Sequence, residues 1–151
     1  MKYRFVIAID PGKSGGICVF NSNTGVKSVN MPITPTDLHQ FLKRYSVDSY
    51  CYLEKVHGMP GMSGGGMFTF GQGYGWLEMA LIALKIPTES VTPQKWQKTH
   101  EMGTKGKLTT TQWKNKLKAK AQQLFPDQKV FLWNADALLI LHYGLDKLKQ
   151  K

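Results

Sequence analysis

The sequence predicts an α/β fold built on a mixed sheet, and three observations predict it. Three short apolar or alternating segments near the N-terminus are joined by tight turns. A proline-started helix then separates them from a fourth strand-like run. Helices with recognisable caps fill most of the remaining chain. Strands closed by short turns read as an antiparallel meander. A helix between two strands reads as a crossover that pairs them in parallel.

Each element follows from local chemistry. Residues 4–9 read as a buried strand that stops at Asp10, and residues 16–21, "GICVFN", as a second. Asn23, Thr24 and Gly25 supply turn residues, and residues 26–31, "VKSVNM", alternate as a third strand. Thr34 fits an N-cap, Pro35 the first helical position and Asp37 the first turn. Leu38, Phe41 and Leu42 give that helix a buried stripe. Residues 50–56, "YCYLEKV", form the fourth strand, placed by the crossover beside the first.

The glycine-rich stretch 57–75, "HGMPGMSGGGMFTFGQGYG", reads as a loop, followed by a helix over 75–85 and a short strand over 88–91. Thr92-Pro93 repeats the cap-and-proline start. Residues 99–109 are a polar loop, and residues 110–124 a helix stopped by Pro126. The last helix starts at Asn134 as its N-cap and runs to Leu148. Without repeats or a linker, residues 1–151 are expected to form a single domain.

The chain carries 20 Lys and Arg against 10 Asp and Glu, a formal net charge of +10. So large an excess favours a polyanionic partner. Cys18 and Cys51 lie inside strand-like segments and are expected to be buried thiols; no CxxC or Cys/His spacing suggests zinc. The apolar run 5–9 is too short for a signal sequence, and no stretch is long enough to span a bilayer. A cytoplasmic protein with no membrane association is expected.

Among so few acids, three stand out. Asp10 ends the first strand, Glu54 lies near the end of the fourth, and Asp136 falls in what reads as the first turn of the last helix. An acid in a first turn can simply complement the helix N-terminus. Carboxylates at the ends of core strands are rare unless paired or metal-bound. Three of them without Cys or His suit Mg²⁺ or Mn²⁺. Two such ions can clamp an in-line phosphoryl displacement.

The motifs resemble a known family. "IAIDPGKSGGI" is similar to the first motif of RuvC-type Holliday junction resolvases. "YLEKVHGMPGMSGGGMFTFGQGYG" resembles the second acidic strand and following loop of the family's phage-associated branch, and "VTPQKWQK" and "NADALLILHYG" resemble its later segments. The resemblance implies a ribonuclease H-like fold with a five-stranded mixed sheet flanked by helices. It also implies a homodimer and Mg²⁺-dependent nicking of four-way DNA junctions. Asp10, Glu54 and Asp136 fall on the family's catalytic, metal-binding acids, which would hold two ions. The family usually carries a fourth Asp or His about one turn before the last Asp. Here Leu132 and Trp133 stand there, and Asn134 is the nearby oxygen donor.

In this family the loop after the second acid reaches toward the junction centre, where apolar side chains can wedge or stack against bases. His57, Met59, Met62, Phe68 and Phe70 are the candidates here, with core anchoring an equal reading for Phe70. Lys13 follows Asp10 in the first loop. Residues 95–120 hold eight lysines and one acid, Glu101. Lys95, Lys98, Lys105 and Lys107 surround the polar loop, while Lys114 and Lys118 lie off the apolar stripe of the next helix. These lysines are expected to contact backbone phosphates. Trp76, Leu77, Leu81 and Leu84 are candidates for a dimer interface or for core packing. A junction-cleaving nuclease and a non-catalytic branched-DNA-binding protein remain the two readings. A sugar-kinase-like phosphotransferase, which needs a second domain, does not fit this length.

Overall fold

The computed structural model describes residues 2–58 and 60–150, so the loop candidate Met59 lies outside the described residues. The elements run β1 (Phe5–Asp10), β2 (Gly16–Asn21), β3 (Gly25–Asn30), α1 (Pro35–Lys43) and β4 (Ser49–Glu54). They continue as α2 (Gly64–Ala83), β5 (Thr88–Val91), α3 (Pro93–Thr99), α4 (Thr110–Leu124) and α5 (Leu132–Lys149). The five strands form one mixed sheet in the order β3-β2-β1-β4-β5. β1 and β2 are antiparallel, as are β2 and β3, while β4 runs parallel to both β1 and β5.

The sheet is buried on both sides because each strand places alternate residues on opposite faces. Ile7, Ile9, Cys51 and Leu53 meet Leu38 and Leu42 of α1 and Leu77 and Leu81 of α2. Val6, Ala8 and Tyr52 meet the opposite layer, where Leu138 and Leu141 of α5 pack with Trp96 of α3 and Leu117 of α4. The middle layer is thus clamped between two helical layers. Both cysteines are buried free thiols. Among the described residues no helix is long and apolar enough to cross a membrane.

Local signals explain most boundaries. The Thr34 hydroxyl accepts from the Asp37 amide at 3.1 Å, closing the first turn of α1. Thr109 and Gln112 form a reciprocal capping box that starts α4.

Two expectations are corrected. First, α2 begins at Gly64, so much of the supposed loop 57–75 is helix. Glycine opposes helix formation, but Ser63 caps this helix by accepting from the Gly66 amide at 3.0 Å, and Tyr74 and Trp76 pack on the core below. Second, α5 begins at Leu132, with Phe131 at the cap position. Asn134 is therefore a third helical residue rather than an N-cap. Its Oδ1 accepts from the Phe131 amide at 2.7 Å, and its Nδ2 donates to the Lys129 carbonyl at 3.0 Å. Asp136 consequently sits beyond the first turn, and the bland explanation of a terminal capping acid no longer applies.

Candidate active site

Strand register brings the first two acids together. Ile9 pairs with Leu53 across parallel strands, so Asp10 and Glu54 are the next residues on neighbouring strands. Adjacent strands lie about 4.8 Å apart. Asp10 shares its face with Val6 and Ala8, and Glu54 shares its face with Tyr52; both faces are those covered by α5. α5 carries Asp136 in its N-terminal half. The three carboxylates therefore lie toward one end of the sheet on the side that α5 covers, without closing into one metal-binding group among the described residues.

The three acids feel one another's charges. Burial, then Asp136, then Glu54 hold the Asp10 carboxyl well above its ordinary range. Burial, followed by the Asp136 charge, pushes Glu54 up to about 7, against the opposing pull of a hydrogen bond from Trp96. Burial likewise raises Asp136. The Lys114 charge lowers all three. Lys114 is exposed near the start of α4, and its field offsets part of the acids' mutual repulsion.

Glu54 is held in place. Its Oε2 accepts from the Trp96 indole N–H at 2.7 Å, and both residues are buried. Among the described residues, no three His, Cys, Asp or Glu side chains are drawn into a ready-made metal cage. The donor chemistry nevertheless fits a hard divalent cation. The cluster offers carboxylate oxygens alone, and its raised affinity for protons records buried negative charge that a cation would neutralise.

The positions before Asp136 have other work. Trp133 stacks on Phe131 with ring centroids 6.0 Å apart and planes 12° apart. A Cβ on Gly16 would lie 2.9 Å from the Trp133 ring, so β2 and α5 touch through these two residues. Leu132 is half-exposed, and Asn134 spends its amide on the helix start. The glycines after Asp10 also have structural causes. A Cβ on Gly15 would fall 2.1 Å from the Asp10 carbonyl oxygen, and Gly12 adopts φ +104°.

Phe70 is half-buried and packs on the loop after Asp10 rather than within either core cluster. Its ring lies 3.2 Å from where a Gly12 Cβ would be, which ties α2 to the loop that follows Asp10. Val56, His57, Met67 and Phe70 help to line a cleft of about 220 Å³ beside this contact. Phe68 points outward and is 71% exposed. Lys13, His57, Lys98, Lys105 and Lys107 are exposed, and Lys118 is half-buried. Lys105 Nζ donates to the Thr110 hydroxyl at 3.0 Å. Lys95 lies 3.8 Å from Glu89, which Lys147 contacts at 2.6 Å. Of the predicted phosphate-binding lysines, Lys114 is the one whose charge reaches all three acids.

Leu77 and Leu81 are buried in the chain's own core, and Trp76 and Leu84 pack against it. They do not form a free interface. The outward stripe of α2 is Phe68, Met79 and Ile82, with Gly71 and Gly75 between them. Sequence reasoning missed Trp96 as a partner of Glu54, because 42 residues separate them and no local pattern links the two.

The sequence matches no protein-family model, and no curated protein matches it. The fold, by contrast, is similar to that of solved structures. One is "T. thermophilus RuvC in complex with Holliday junction substrate", aligned over 91% of this chain and 90% of that one, with TM-score 0.57 and 12% identity. A second is "Thermus thermophilus RuvC structure", with the same coverage, TM-score 0.55 and 14% identity. The chain has the ribonuclease H-like mixed five-stranded sheet with flanking helices seen in these RuvC structures.

Proposed function

We propose that the chain is a single-domain, structure-selective endodeoxyribonuclease that hydrolyses phosphodiester bonds in four-way junctions and related branched DNA. The observation that carries this reading is the placement of Asp10, Glu54 and Asp136 toward one end of the sheet on the side that α5 covers. The RuvC-like fold supports it, since one of those RuvC structures is a complex with a Holliday junction. The sequence motifs resemble those of the phage-associated branch, which fits a protein working in a bacterial cytoplasm.

Asp10, Glu54 and Asp136 would hold two Mg²⁺ or Mn²⁺ ions. Such a pair would supply Lewis-acid activation of water and charge stabilisation at the leaving 3′ oxygen, for a hydrolysis that leaves a 5′-phosphate. The chain's own groups do the rest. Three carboxylates fix the position of the reacting phosphate by fixing its counter-charge. Lys114 keeps the acids more ionised than burial alone would allow. Lys13, Lys95, Lys98, Lys105, Lys107 and Lys118 supply phosphate contacts that position DNA without reading sequence. His57 and Phe68, both exposed, would meet bases at the branch.

Symmetric cleavage needs two sites, so the working unit is a homodimer. The outward apolar face of α2 supports this reading, because Met79 and Ile82 are exposed close together near its C-terminal end.

The test is a synthetic four-way junction incubated with Mg²⁺ and either the protein or its Asp10→Asn variant. Paired nicks from the wild type alone are expected. Tight junction binding without cleavage by either protein overturns the enzyme reading in favour of a branched-DNA-binding protein. The incomplete metal cage and the lack of a fourth acid give that second reading its ground.

A further inference from the structure

The indole of Trp96 is buried at 1% exposure, and its N–H is committed to a single oxygen of Glu54 at 2.7 Å. Two features hold the donor still. Val91 pairs with Glu54 in the sheet, and the Lys55 amide donates to the Val91 carbonyl at 2.8 Å. α3 begins at Pro93, directly after this strand, and its Trp96 packs into the α5 layer. The indole is thus tied through a short, hydrogen-bonded path to the backbone that carries Glu54.

A glutamate has more rotatable bonds than an aspartate, so it needs more help to present one oxygen reproducibly. A buried hydrogen bond to a carboxylate is short and strong, and it fixes the group's rotation. Only a donor without acceptor character can do this without competing for the cation, and an indole N–H is such a donor.

We propose that Trp96 is a positioning residue. Its N–H pins Oε2 of Glu54 and leaves Oε1 to face the divalent cation shared with Asp10 and Asp136. This rests on the metal-binding reading given above. The core-filling role of the ring is separate, because any aromatic of similar size fills space whereas only the N–H orients the acid.

The test measures Mn²⁺ binding by calorimetry, without DNA and without turnover. Three proteins are compared: wild type, Trp96→Phe, and a protein with 3-benzothienylalanine at position 96. That last residue keeps the shape of the indole and lacks its N–H. Circular dichroism and thermal melts verify folding. The expected result is Mn²⁺ affinity weakened about tenfold or more in both variants, in the range of lost outer-shell partners. In the Glu54→Gln background the same replacements should cost no further affinity. If the isosteric protein binds Mn²⁺ within about twofold of wild type, a margin well inside the usual outer-shell loss, Trp96 is a core residue only and the proposal fails alone. If wild type binds no Mn²⁺, the metal reading itself fails and takes this proposal with it.

Discussion

Tyr52 and Gly144 are in such close contact that a Cβ on Gly144 would lie 2.4 Å from two carbons of the tyrosine ring. Tyr52 is fully buried on the central sheet, two residues before Glu54. α5 is therefore seated on β4 through the absence of a side chain. Its height over the sheet sets where Asp136 sits relative to Asp10 and Glu54.

Gly144→Ala should lift α5 or displace the ring. Overpacking of this kind costs about 1–3 kcal/mol. Urea denaturation should show that loss, and a variant as stable as wild type would show that the contact yields easily. Because the change acts through helix position, Mn²⁺ affinity should fall together with stability.

The acid cluster predicts an unusual pH response. Burial and Asp136 raise Glu54 from an ordinary 4.5 to about 7, so the folded chain holds its proton more tightly than the unfolded chain does. Stability from this source is complete below the unfolded value and is lost as pH rises through the folded one. The interval corresponds to roughly 3 kcal/mol. Without divalent metal, Glu54→Gln should melt near wild type at pH 5 and above it at pH 8. Added Mg²⁺ should close the gap at pH 8. A gap of the same size at both pH values would contradict this account.

Asn134 offers a clean separation of folding from chemistry. Its amide serves the Phe131 N–H and the Lys129 carbonyl. Asn134→Ala should cost about 1–2 kcal/mol as a lost helix-start interaction. Mn²⁺ affinity should stay within about twofold of wild type, far less than losing a direct ligand or its outer-shell support. A large loss of metal affinity with little loss of stability would instead make Asn134 the fourth ligand.

Phe68 and Phe70 should behave differently despite lying one residue apart. Phe68 is 71% exposed, whereas Phe70 touches Gly12 beside the first acid. Phe68→Ala should change stability by no more than about 0.5 kcal/mol, as exposed substitutions usually do. It should reduce junction cleavage and quench the signal of 2-aminopurine placed at the branch. Phe70→Ala should lower stability as well. Equal destabilisation by both would argue against an outward role for Phe68.

The strands were legible because their signals are local. Alternation and turn residues locate β1 to β5, and the helix between β3 and β4 implies the parallel pairing that puts Glu54 beside Asp10. The start of α2 was hidden because glycine propensity speaks against a helix, while packing over the sheet decides for one. Asn134 was misplaced because asparagine suits an N-cap, whereas here its side chain reaches back from the third helical position to accept from the amide of the cap residue, Phe131. The Trp96–Glu54 bond and the reach of Lys114 depend on segments far apart in the chain, and periodicity carries no trace of either.

The fit of Trp133 against Gly16 bears on how the site keeps its shape. The two residues interlock like a key and its ward. Glycine at 16 is demanded by backbone as well as by the ring, because a Cβ there would also lie 3.0 Å from the carbonyl oxygens of Trp133 and Val29. The tryptophan thus acts as a rivet that fastens the start of α5, the helix bearing Asp136, to the strand that follows the Asp10 loop.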